Sequence, residues 1–136
     1  MSKSNTTEND TLNAILRAVD PSWRANANRY LALYTADPGE AGTAITNEAA
    51  YTSYARVAIV AATGFSAASG GSSSNTGLLQ FPACTGAPET LTYVAIVTTA
   101  SGAGQILYSG LLNTSLAVSA PIQPQFAIGA LVVQED

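Results

Sequence analysis

From Tyr30 onward the chain carries a succession of short runs with a period of two, the spacing that sends successive side chains to opposite faces of a sheet. Between Tyr30 and Tyr34, Tyr30, Ala32 and Tyr34 alternate with Leu31 and Leu33. Both faces of that run are apolar or amphipathic, so both are expected to be covered. A second strand is expected over Tyr54–Val60, followed by short runs at 78–81, 91–98, 105–112, 116–118, 125–128 and 130–133. Between these runs stand Pro82, Gly86-Ala87-Pro88, Ser101-Gly102-Ala103-Gly104, Asn113 and Pro121, which are turn formers at strand-like spacing. In the run from Leu91 to Thr98, strict alternation puts Leu91, Tyr93, Ala95 and Val97 on one face. The pattern predicts an all-β fold, an antiparallel β-sandwich, with the jelly roll as one arrangement of it.

Only near the N-terminus does the period change. Leu12, Ile15, Leu16 and Val19 fall at i, i+3, i+4 and i+7, a single apolar stripe on a short helix. Asn9 or Asp10 is placed to cap it and Asp20-Pro21 to end it. A helix this short is marginal alone, so the stripe must dock on its own sandwich or on a neighbouring subunit. The expected organisation is a flexible arm over residues 1–10 and a single domain over 11–136. Trp23, directly after the helix, reads equally as a lid on the core or as an interface anchor. Leu12, Ile15, Leu16, Val19 and Trp23 are thus the candidate interface.

Residues 61–77, AATGFSAASGGSSSNTG, have too little apolar surface to fold themselves and read as a mobile loop whose shortening changes stability little. Arg56 lies in an apolar run and needs a carboxylate if buried. Glu48 is the nearest in sequence and the candidate partner, with Glu40 and Asp37 as rivals.

Charge changes the picture. Charged residues make up 10% of the chain, against about 25% in ordinary soluble domains. Between Arg56 and Glu135 the only one is Glu89. Such a neutral surface suits a subunit held in an assembly better than a free monomer, and a homo-oligomer, dimer or trimer, is expected. A net charge of −4 with no basic stripe argues against nucleic acid as a partner. No window approaches the ~18 apolar residues of a membrane span, and no signal-peptide pattern opens the chain, so cytoplasmic synthesis without secretion is expected.

The chain has no histidine, which removes the usual general base and the commonest metal ligand. Cys84 is the single cysteine and reads as a small buried hydrophobe. Asp37, Glu40 and Glu48 are the only clustered carboxylates. They are conceivable for glycoside chemistry or a hard cation, and read more readily as a solvated turn-forming loop. No catalytic residue, cofactor or metal site is expected.

Several short motifs carry a family resemblance. Leu33-Tyr34-Thr35-Ala36-Asp37-Pro38-Gly39, then Asn47-Glu48 and Tyr54-Ala55-Arg56, open it. Leu79-Gln80-Phe81-Pro82-Ala83, Gly110-Leu111-Leu112 and Phe126-Ala127-Ile128-Gly129 continue it. Together they resemble small structural proteins of tailed bacteriophages, described either as tail-fibre proteins or as head decoration (cement) proteins. The resemblance implies a non-enzymatic virion subunit. The leading expectation is a cement protein on the capsid exterior that binds the major capsid protein. The alternative is a tail-fibre or baseplate component, contacting host glycans through Tyr51, Tyr54 or Trp23.

Overall fold

The computed structural model describes residues 1–135; Asp136, the last residue of the expected domain, lies outside them. The described residues form a helix α1 (Asn5–Arg17), a single 3-10 turn (Ser22–Ala25) and eight strands. The strands are β1 (Asn28–Tyr34), β2 (Val57–Val60), β3 (Ser72–Ser74), β4 (Leu79–Gln80), β5 (Glu89–Val97), β6 (Ile106–Val118), β7 (Gln125–Phe126) and β8 (Val132–Gln134). All pairings are antiparallel. One four-stranded sheet runs in the order β2-β1-β5-β6, and two short ladders join β3 to β8 and β4 to β7. The fold is all-β with a short N-terminal helix, and its strands pair as four, two and two rather than as the two four-stranded sheets of a jelly roll.

β1 and β5 are the inner strands, which explains why β1 is apolar on both faces. Leu31 stands opposite Ile96 and Leu33 opposite Val94, and these point into the larger core with Ile59, Phe81, Leu79, Cys84 and Leu131. The β4–β7 and β3–β8 ladders form the second layer over this face through Leu79, Phe126 and Val133. Each fully buried Leu or Phe contributes roughly 1.5–3 kcal/mol here. On the other face Ala32, Tyr34, Ala95, Val97 and Ile106 pack with Ala44, whose carbonyl accepts a hydrogen bond from the Tyr34 hydroxyl at 3.0 Å.

Strict alternation fails at Leu91. A register shift between Leu91 and Tyr93 rotates Leu91 into the larger core, away from Tyr93, Ala95 and Val97, as a bulge does. The runs expected at 105–112 and 116–118 are one strand, since Asn113 continues β6 without a turn. The run expected over Tyr54–Val60 pairs only from Val57.

The segment 61–77 is not simply a mobile loop. Ser72–Ser74 pair with Val132–Gln134, and Asn75 is 1% exposed. Its side chain donates to the carbonyls of Gly77 (2.7 Å) and Ala127 (2.9 Å) and accepts from the Leu131 N–H (2.9 Å). Gly71, at φ +72°, extends this ladder by accepting from the Glu135 N–H at 2.8 Å. A Cβ there would lie 2.7 Å from the Glu135 carbonyl oxygen, so glycine is required by both angle and space.

The N-terminus also departs from expectation. Helix α1 starts at Asn5, capped by Ser4 rather than by Asn9 or Asp10: the Ser4 hydroxyl accepts from the Thr7 N–H at 3.4 Å. Residues 2–4 lie against the body, with Ser2 bridging to Ser109 of β6 in both directions (2.8 and 2.7 Å). Lys3 lies 2.6 Å from Glu135, and the Tyr108 hydroxyl donates to the same carboxylate. Partial burial works against the Glu135 charge, but the hydrogen bonds from Lys3 and Tyr108 prevail and hold its pKa below the ordinary 4.5. A carboxyl more acidic in the folded state stabilises the fold above its unfolded pKa, and that contribution is lost as pH falls through the folded value. Melting temperature measured against pH should therefore drop at the acid end, and Glu135→Gln should flatten that limb while lowering stability modestly at neutral pH.

Candidate assembly surface and structural clamp

Helix α1 rests on the body through its polar side. The hydroxyls of Ser4 and Thr7 both donate to the Ile106 carbonyl, at 2.7 and 2.6 Å. The Gln105 amide donates to Thr7 Oγ1 and to Asp10 Oδ2, each at 2.9 Å. Asp10 also accepts from the Trp23 indole at 3.1 Å. Trp23 is half-buried against the larger core with the Arg29 guanidinium 5.6 Å from its ring, so it closes the core and fastens the helix.

The expected stripe points the other way. Leu12 and Val19 are exposed, and Ile15 and Leu16 keep 73% and 75% of their surface. Docking on the chain's own sandwich is thereby excluded for these four residues. In sequence, the signal for this inversion was the row of serine, threonine and aspartate at 4, 7 and 10, one helical turn apart on the side opposite the stripe.

Beside α1 lies an apolar groove of about 490 Å³, walled by Thr7 and Thr11 of the helix and lined by Trp23, Phe65, Ile96, Leu107 and Val133. A larger, more polar cleft of about 810 Å³ has Asp37, Glu40, Tyr93 and Asn113 among its walls.

The 35–56 loop is held by Arg56, which the fold brings together with Glu48. Arg56 Nε and Nη2 donate to the two Glu48 oxygens at 2.6 and 2.8 Å, and the side chains are 2% and 15% exposed. The guanidinium also donates to the carbonyls of Thr99 (2.9 Å), Gly102 (2.8 Å) and Ala44 (3.3 Å). Burial disfavours its charge, yet the hydrogen bonds and charge of Glu48 outweigh that and raise its pKa. Tyr54 completes the cluster by donating to Glu48 at 3.0 Å and accepting from the Leu33 N–H at 3.1 Å. Burial beside Glu48 raises the Tyr54 pKa as well. Every polar atom is matched, as a buried ion pair requires, and no face is left for a substrate.

With Glu48 committed to Arg56, Asp37 and Glu40 stand apart from it, and Asp37 accepts from the Gly39 N–H within its own turn at 2.8 Å. Among the described residues no three Cys, Asp or Glu side chains gather as metal ligands. Among the described residues no helix is long and apolar enough to cross a membrane. Cys84 is buried, its thiol directed at the Ala87 carbonyl at 3.4 Å. Tyr51 is 2% exposed and donates to the Pro82 carbonyl at 2.8 Å, its hydroxyl pKa pushed up to about 12 by burial. Tyr54 stacks on Phe81, 6.1 Å between centroids. The Tyr51 and Tyr54 side chains expected at sugars serve the core instead, through both rings and hydroxyls.

No curated protein matches the chain. The family model described as podophage GP4 fiber I protein gp80 matches residues 2–134, covering the sheet, both ladders, α1 and the Arg56 clamp. This protein belongs to that family of tailed-phage structural proteins.

Proposed function

We propose that the chain is a non-enzymatic building block of a phage fibre, carried on the virion at the tail or baseplate. The observation that carries this reading is the match to a fibre protein family across residues 2–134. The physical character of the chain supports it. A polar-matched clamp and a bilayered core make a rigid module, and the neutral surface between Arg56 and Glu135 favours packing among subunits over free solution. The head-decoration role shares that neutral surface but lacks the support of the family's fibre description.

Gold-labelled antibody against the protein, imaged on intact virions, tests the assignment. Label confined to the tail is the expected result. Label distributed over the capsid lattice would overturn it, and would return the protein to the cement role with the major capsid protein as its partner.

A further inference from the structure

We infer that the open edge of β6, at the larger cleft, takes up an extended basic segment of a different protein, added to the sheet as a further strand beside Leu111. The N-terminal segment already shows this edge accepting a strand. Ser2 donates its N–H to the Ser109 carbonyl and accepts the Ser109 N–H, at 2.8 and 2.7 Å. In an antiparallel ladder a residue turns both backbone groups to one neighbour, and the next residue turns them to the other side. Ser109 turns outward to Ser2, so Gly110 faces Val94 of β5, and Leu111, opposite Tyr93, faces outward again. Among the described residues no strand covers this side of β6, and Ser2 alone bridges to it. Leu111 is 68% exposed. An edge with such unpaired backbone groups is a template for one more strand.

The cleft of about 810 Å³ is lined by residues 109–113 of β6, and its other walls come from both faces of the sheet. Asp37 and Glu40 belong to the loop whose Ala44 packs in the smaller core, whereas Phe126 and Leu131 pack in the larger one. An added strand sends alternate side chains to these two sides, one acidic and one apolar. Asp37 and Glu40 are exposed, and among the described residues neither forms an ion pair. The cleft has no cationic side chain in its walls. The strand that fits therefore alternates apolar residues with lysine or arginine. The same edge of a second copy would bring the same carboxylates, and like charges placed opposite one another destabilise a strand pair.

Selection of random heptapeptides on the full chain tests this. Enriched peptides should alternate apolar residues with Lys or Arg, and their binding should slow hydrogen exchange at the Leu111 amide, which exchanges freely in the isolated chain. Leu111→Pro removes an N–H that the β5 ladder does not use, so it should leave the melting temperature nearly unchanged and weaken peptide binding roughly tenfold or more. Glu40→Lys, at an exposed position, should weaken it roughly two- to fivefold. No enriched peptide, or enriched peptides without the basic alternation, would overturn the inference. Binding that ignores both variants, or a Leu111 amide already protected in the isolated chain, would overturn it equally. None of these readouts depends on where the protein sits on the virion.

Discussion

Arg56→Met should be among the most destabilising single substitutions in this protein. It removes a guanidinium that holds Glu48, Thr99, Gly102 and Ala44 at once. Breaking a buried pair from one side costs about 3–5 kcal/mol, because the remaining charge stays buried without compensation. A fall in Tm of at least about 10 °C is expected at this chain length. Arg56→Lys should recover little, since a single ammonium cannot reproduce the two-pronged contact with Glu48 and reach three carbonyls. Adding Glu48→Leu to Arg56→Met removes the stranded carboxylate, so the double variant should be more stable than the sum of the single losses predicts, by roughly 1–3 kcal/mol. Thermal or denaturant melts of the four proteins measure this directly. Strictly additive losses would mean that the pair does not act as a unit.

Shortening the Gly/Ser segment should be nearly as damaging, contrary to what its composition implies. Loop-closure entropy varies slowly with length, but deleting residues 70–76 also removes β3 and Asn75. Asn75 serves three backbone groups from three directions, and each buried group left without a partner costs about 1–3 kcal/mol. Asn75→Ala alone should therefore lower stability by about 2–4 kcal/mol. Asn75→Asp should be similar, because a carboxylate cannot donate to Gly77 and Ala127. Deleting only Ala67 and Ala68, which are exposed and lie outside the Ser69–Ser72 bridge, should be tolerated far better. Melting of the deletion and point variants side by side checks this ordering; equal effects at 67–68 and at 70–76 would contradict it.

Much of the sheet is legible along the chain because burial on both faces leaves a direct mark. Leu31 and Leu33 against Ala32 and Tyr34 already describe an inner strand, and the turn formers between 82 and 121 bound its neighbours. Arg56 in an apolar run is legible for the same reason, since a charge among hydrophobes must find its counterion. Three features escape. Leu91 changes face because β6 meets β5 with a bulge, which no single-strand period encodes. Asn75 looks like any polar residue in a Gly/Ser tract, as its three partners lie at positions 77, 127 and 131. Helix α1 turns its polar side inward because Ile106 and Gln105 present a carbonyl and an amide to it.

By itself, then, the sequence determined the all-β class, the short N-terminal helix, a core apolar on both sides of β1 and a charge-poor chain without histidine, because these follow from local period and composition. The tertiary structure alone decided which side of α1 meets the body, which serine and asparagine are buried, and which carboxylate Arg56 holds. Those outcomes depend on hydrogen-bond partners outside the local period, most of them far away in the chain, and a buried donor or acceptor is stabilised only by the group that folding places opposite it.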